Sequence, residues 1–215
     1  MGRLWKLTHK IQSIVPQKKR KNRFTITLES GDVFGISGDV LISNPLDAGQ
    51  ILTKKALDDL KRIETRQQIK IRILRLLSYR HRSRAEVMTL LKRKGYSEDD
   101  IVFVLDELDS KGYIDDKAFA KMYASYLIKK KSLGRIAVKY KFSQHQIPPD
   151  LLNAILDELY ATYPPGEIVQ QIMDKRILVR GNSLKEMKKL VNTLKQKGFR
   201  WQDIEPILNT VKWGS

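Results

Sequence analysis

The stretch Leu91 to Leu105 reads LKRKGYSEDDIVFVL, and its outline returns at Leu194 to Leu208 as LKQKGFRWQDIEPIL. Each copy carries the end of one helix, a glycine, an aromatic residue and the start of the next helix. Upstream, Ser83-Arg84-Ala85-Glu86 has the pattern of a capping box, in which Ser oxygen and Glu carboxylate take amides that a new helix leaves unpaired. Val87, Leu90 and Leu91 then share a face, and Gly95 suits the left-handed conformation that stops a helix. Ser97 starts another helix, with Asp99 and Asp100 complementing its N-terminal dipole. Ile101, Val104, Leu105 and Leu108 line its apolar face, and Lys111-Gly112 stops it. With the pattern Ile69, Ile73, Leu76, Leu77 ahead, this predicts three helices between about Arg66 and Gly112.

A third, worn copy lies between the two. A shift of 51 residues sets Val138 on Val87, Phe142 on Leu91, Ile147 on Tyr96, Leu152 on Ile101 and Ile155 on Val104. A shift of 103 sets Leu190, Leu194, Gly198, Phe199, Ile204 and Ile207 on the same frame. Near-equal intervals are the mark of a tandem array. Each copy has a leading helix. In the middle copy it begins at Asp116, with Phe119, Met122, Tyr123, Tyr126 and Leu127 on one face, and in the last near Pro164-Pro165. The expected fold is mainly α, an array of three three-helix, helix-turn-helix-like repeats behind a small N-terminal β-hairpin element. The expected divisions are 1–50 for the β element, 51–115 for repeat 1 with a leading helix capped by Thr53, 116–162 for repeat 2 and 163–215 for repeat 3. Ser183-Leu184-Lys185-Glu186 repeats the capping box at an offset of 100, so the second helix of repeat 3 should be about three residues longer. Pro206 falls where a third helix is expected, so that helix either starts late, with Asp203 as cap and Pro206 in its first turn, or kinks, and the late start is the favoured expectation.

The first fifty residues differ. Phe24-Thr25-Ile26-Thr27-Leu28 alternates as a half-buried strand should, Ser30-Gly31-Asp32 supplies a turn, and Val33 to Ile36 returns. A further extended segment around Lys10 to Val15 joins them. The run Lys18-Lys19-Arg20-Lys21, with Arg23, then falls at a strand-to-strand connection.

Hydrophobic residues at 41% and charged residues at 30% are the proportions of a folded chain. No apolar run approaches the length of a membrane span, and no secretory leader or lipidation pattern is read at the N-terminus, so the expected compartment is the cytoplasm. With no cysteine, disulfides, thiolate metal sites and thiol catalysis are excluded. The net charge of +17 points to a polyanion or an acidic assembly as partner.

Catalytic chemistry is not indicated. His9, His81 and His145 lie in separate segments without a metal-ligand companion. Gly31, Gly35 and Gly38 lack the Gly-Lys-Ser/Thr of a phosphate loop. Asp99-Asp100 and Asp115-Asp116 are read as caps, and Tyr96, Phe119, Tyr123, Tyr126 and Phe199 as core. No enzyme, cofactor or metal is expected. The basic residues cluster at helix junctions: Arg80, Arg82 and Arg84, then Lys92, Arg93 and Lys94, and in the middle repeat Lys129, Lys130, Lys131, Arg135 and Lys139, followed by Lys141. These are candidate contacts to phosphates or to acidic side chains along a filament, with Lys18, Lys19, Arg20, Lys21 and Arg23 as an accessory basic loop. Rival readings are a free-standing helix-turn-helix DNA-binding regulator and a scaffold for acidic proteins.

Leu77-Ser78-Tyr79-Arg80-His81-Arg82-Ser83-Arg84-Ala85-Glu86-Val87, then Leu91 to Tyr96, resembles the signature of the RecX family of bacterial RecA regulators. So does Val104 to Ala120, and Pro16 to Arg20 with Val33 to Leu41 resembles the longer form of that family. In the middle repeat Leu133-Gly134-Arg135 lacks the proline of the family's turn. The resemblance implies an elongated, curved array lying along the groove of the RecA–single-stranded DNA filament. It further implies a monomer that inhibits ATP hydrolysis, strand exchange and co-protease function, with single-stranded DNA, and double-stranded DNA besides, as nucleic-acid partners.

Overall fold

The computed structural model describes residues 9–214; residues 1–8, the start of the expected β element, lie outside the described residues. Four strands and ten helices follow one another among the described residues. β1 (His9–Pro16), β2 (Arg23–Leu28) and β3 (Val33–Ser37) are joined in an antiparallel sheet by the two-residue β4 (Ile51–Leu52), in the order β3-β2-β1-β4. The alternating pattern aims Ile26, Leu28 and Ile36 inward, where they meet Ile11, Val40, Leu57 and Leu60 in a small core. Each such side chain, fully buried, contributes about 1.5–3 kcal/mol. The short α1 (Gly38–Ser43), absent from the sequence expectation, starts on Ser37, whose hydroxyl accepts from Val40 N–H.

The helices from residue 54 onward come in threes: α2 (Lys54–Tyr79), α3 (Arg84–Lys92) and α4 (Glu98–Ser110); α5 (Asp116–Lys129), α6 (Arg135–Phe142) and α7 (Pro149–Thr162); α8 (Pro165–Arg180), α9 (Leu184–Gln196) and α10 (Trp201–Leu208). The two successive patterns expected ahead of Tyr79 are one continuous helix of 26 residues capped by Thr53. With no Gly or Pro to break it, the first pattern runs directly into the second.

The chain divides into two compact units. One takes the residues up to Arg80 with Met88–Tyr113; the other takes His81–Val87 with Ile114–Ser215. In the first, α2 packs on α4, and Ile69, Ile73, Leu91, Ile101, Leu105 and Leu108 are fully buried. In the second, α5 to α10 share one continuous core running from Phe119 and Leu156 to Leu194, Ile204 and Leu208.

Two sequence expectations fail within that second unit. Met122 and Tyr126 are 45% and 46% exposed, because the buried face of α5 is the narrower stripe Phe119, Ala120, Ala124, Leu127 and Ile128. The late start of the last helix is also wrong: α10 begins at Trp201, Asp203 accepts from Arg200 N–H at 2.9 Å, and Pro206 stands inside the helix. Burial of Ile204 and Leu208 holds the helical phase against the proline, and α10 ends two residues later. α9 has 13 residues against 9 in α3, a longer second helix as its capping offset predicted.

The capping boxes are half-formed. Ser83 and Ser183 each accept from the amide three residues on. Their glutamates turn elsewhere: Glu86 pairs with Arg82, and Glu186 with Arg176 and Lys189. The left-handed position between second and third helix persists in all three copies, at Gly95 (φ 84), Gln146 (φ 53) and Gly198 (φ 81). A side chain there costs about 1–2 kcal/mol. Gln146→Gly, exposed and at a helix stop, should therefore raise the stability of the second unit by about 1 kcal/mol. Thermal melts of the two proteins check it, and an unchanged or lowered midpoint counts against it.

Candidate nucleic-acid interface

The amides at the start of each second helix have no partner within that helix and are met by groups from further along the chain. Arg84 N–H donates to the Asp116 carboxylate at 2.8 Å, and the Ser83 hydroxyl lies 3.1 Å from His145 Nδ1. At α6, Gly134 N–H donates to Lys197 O at 2.8 Å and Ile136 N–H to Gly198 O at 3.2 Å. At α9, Leu184 N–H donates to Gly214 O at 2.9 Å, while Gly214 N–H donates to Asn182 O. These seats fix the helix junctions, and the candidate cations stand around them.

The α6 seat gathers the densest group. Lys129 lies 4.4 Å from the centre of the Tyr163 ring, Lys131 5.7 Å from Tyr126, and Lys195 5.7 Å from Trp201. Lys197 Nζ donates to Lys131 O at 2.9 Å across 66 residues of sequence. Cations over half-exposed rings form a basic, aromatic surface suited to phosphates and bases. Lys195, Lys197 and Trp201 were not among the sequence candidates. The signal available was the alignment of Lys197 with Lys94 in the repeat frame. Lys130 and Lys139 are exposed on the same unit.

Arg135 has a different task. Its guanidinium pairs with Asp157 and donates to Asn153 O at 3.4 Å, tying α6 to α7. Tyr160 supports the same turn: its hydroxyl donates to Leu133 O at 2.8 Å, and burial pushes the phenol pKa up. Arg82 is paired with Glu86, and Arg84 is half-buried with its amide on Asp116. In the first unit, Arg80 caps the end of α2 and is exposed, Lys92 pairs with Glu98 at 2.6 Å, and Arg93 and Lys94 are exposed before Gly95. Arg23 turns inward to Glu64 at 2.9 Å, leaving Lys18, Lys19, Arg20 and Lys21 exposed in the β1–β2 connection.

Asp100 is a packing anchor. Burial raises its pKa, but hydrogen bonds from Arg66, Arg62 and Ser97 outweigh that and hold the carboxyl below its ordinary range. Glu107 is held low by hydrogen bonds from Lys111 and Lys70. Both carboxylates are neutralised by neighbouring cations, and the cleft of about 290 Å³ at Glu107, lined also by Asp39, Arg66, Lys70 and Phe103, is balanced in sign. Among the described residues no group of three or more His, Asp or Glu stands close enough to hold a metal ion, and no helix is long and apolar enough to cross a membrane.

Successive three-helix units behind a small antiparallel sheet, with cations at their junctions, define a tandem helical-repeat protein with basic turns. Residues 70–108 match the family model for the first three-helix domain of RecX. Over most of its length the chain is similar to members of the RecX family. It is 27% identical over 197 residues to the regulatory protein RecX of Oceanobacillus iheyensis, covering 88% of this chain and 72% of the relative. It is 28% identical over 203 residues to that of Staphylococcus carnosus, covering 94% and 76%. A crystal structure of regulatory protein RecX superposes with a TM-score of 0.71 at 25% identity, over 94% of this chain and 99% of that one. RecX from Lactobacillus salivarius shares the fold, with a TM-score of 0.61 over 69% of this chain and 99% of that one. The relatives are named as regulatory proteins.

Proposed function

We infer that the protein binds the RecA–single-stranded DNA filament and lowers the recombinase's ATP hydrolysis, strand exchange and co-protease activity. The observation that carries this reading is kinship with regulatory protein RecX over 88–94% of the chain, repeats and β element together. The +17 charge and the cationic helix junctions support it, because a nucleoprotein filament presents both phosphates and acidic side chains. The protein works as a monomer in the cytoplasm, each three-helix segment (51–115, 116–162, 163–215) serving as one repeat of the binding surface. Lys129, Lys130, Lys131 and Lys139 with Arg80, Arg84, Lys92, Arg93 and Lys94 supply the binding charge. Arg82 and Arg135 position their helices through the ion pairs they form.

The test is a titration at less than one copy per recombinase protomer, reading DNA-dependent ATP hydrolysis by the RecA of the same source. Hydrolysis should fall, and replacing Lys130, Lys131 and Lys139 by Ser should weaken the effect. Its salt slope should drop by about 0.7 for each single-strand phosphate left without its cation. No change in hydrolysis at physiological salt would sink the reading. A strong preference for one duplex sequence, with hydrolysis unchanged, would favour a free-standing DNA-binding regulator.

A further inference from the structure

The connection between β1 and β2 reads Gln17-Lys18-Lys19-Arg20-Lys21-Asn22 and presents four consecutive exposed cations. None of the four takes part in an ion pair among the described residues. Other exposed cations of the chain do find carboxylates: Lys92 with Glu98, Lys111 with Glu107, Lys121 with Glu158, Lys189 with Glu186. Four adjacent like charges repel one another, and nothing at the tip offsets that repulsion.

The base beneath this tip is clamped from several sides. Gln17 N–H donates to Arg23 O at 2.8 Å, and the Gln17 amide to the Thr25 hydroxyl at 3.1 Å. Asn22 holds a left-handed conformation (φ 56), accepts from Gly38 N–H at 2.9 Å and donates to Asp39 at 3.1 Å. Gly38 leaves room for it, because a Cβ there would stand 1.8 Å from Asn22 Oδ1 and displace that side chain. Arg23 is drawn off the tip to Glu64. The fold therefore fixes both feet of the connection and leaves its charge uncompensated.

We propose that this hairpin tip is a nucleic-acid contact of its own, seating Lys18, Lys19, Arg20 and Lys21 against the phosphates of B-form duplex DNA without reading its sequence. The tip offers no apolar or aromatic residue between Gln17 and Asn22, whereas a protein interface is anchored by such side chains. A two-stranded ribbon is of a width the major groove of B-DNA, about 12 Å across, admits. A-form RNA closes that groove to side chains. A clamped base presents the charges without the ordering cost of a free loop. The contact needs no recombinase, so it stands or falls separately from the filament reading.

The experiment is equilibrium binding of the full chain to a random-sequence 30-base-pair DNA duplex over a salt series, with no recombinase present. Replacing Lys18, Lys19, Arg20 and Lys21 together by Ser should lower the slope of log K against log salt by about 3–4, at roughly 0.9 for each phosphate neutralised. Asn22→Gly, which keeps the four charges and the positive φ but removes the bond to Asp39, should keep the slope and lose affinity several-fold. A slope change below one unit in the quadruple variant overturns the proposal, provided its circular dichroism matches the parent. Loss of binding to poly-glutamate with duplex binding intact also overturns it, in favour of an acidic protein partner.

Discussion

Gly134→Ala should destabilise the second unit by about 1–3 kcal/mol through overpacking alone, and Gly198→Ala by about 3 kcal/mol or more, with a strained backbone added. A Cβ on Gly134 would stand 2.4 Å from Gly198 O, and one on Gly198 would stand 2.2 Å from Ala137 N. Both obstacles are backbone atoms, which cannot rotate aside. Gly134 has φ −80, open to any residue, so its variant reads the close approach alone. Gly198 has φ 81, so its variant adds the left-handed penalty. Gly95 is the control: it shares the φ of Gly198, but nothing stands within 4 Å of its Cβ position. Gly95→Ala should cost about 1 kcal/mol, the conformational part only. In thermal melts a unit near 100 residues loses about 4–8 °C per kcal/mol, so Gly198→Ala separates clearly from Gly95→Ala. The two units can unfold at different temperatures, and the Gly134 and Gly198 variants should move the transition of the second. If Gly134→Ala shifts its midpoint no further than Gly95→Ala does, the close approach of the two turns does not hold that unit together.

That contrast marks where the sequence ceases to be informative. The helix frame is legible because helix stops and starts have chemical signatures: Gly95 and Gly198 take positive φ, and the hydroxyls of Ser83, Ser97 and Ser183 accept from first-turn amides. The apolar period then places Ile101, Val104 and Leu105 in the core without further information. What periodicity cannot supply is which turn meets which. Gly95 and Gly198 are equivalent in pattern, yet only Gly198 carries another segment against its backbone. The worn middle copy hides its stop for a related reason, since Gln146 adopts the left-handed conformation without being glycine.

The candidate interface is less legible than the fold. Charge counting identifies the clusters but cannot tell a binding cation from one that braces a helix. Arg135 stands in the same run as Lys139, yet it is held by Asp157 and Asn153 O. Arg23 follows four exposed cations and is itself turned to Glu64. Arginine at such sites is the structural choice, because its planar fork can satisfy a carboxylate and a carbonyl together. Lysine, a compact charge on a mobile stem, lacks that fork.

Glu64→Ala should cost the N-terminal module about 3–5 kcal/mol, the usual loss when one partner of a buried ion pair is removed. Glu64 is 4% exposed and accepts three hydrogen bonds: from Arg23 at 2.9 Å, from Ser37 N–H at 2.8 Å and from Gln68 at 2.8 Å. One carboxylate on α2 thereby joins the start of β2 and the end of β3 to the long helix. Alanine would leave the Arg23 guanidinium half-buried without its anion and the Ser37 amide without its acceptor. Glu64→Gln retains the shape and one acceptor oxygen, so it should cost less than the alanine variant. Replacing Arg23 and Glu64 together by Met and Leu removes both charges, and a pair exchanged for apolar residues is often near neutral. The ordering Glu64→Ala, then Glu64→Gln, then the double replacement, from most to least destabilising, is measured by urea denaturation. Exchange at Ser37 N–H should accelerate in the alanine variant and in the double replacement, both of which remove the acceptor of its amide, and least in Glu64→Gln. The alanine variant should loosen the hairpin, since Arg23 stands beside Asn22 at its foot, and duplex affinity would then fall while the four tip charges keep the salt slope. A cost for Glu64→Ala below about 1 kcal/mol, the worth of an ordinary hydrogen bond, would mean that apolar packing of Ile26, Ile36 and Leu60 alone holds the sheet on the helix.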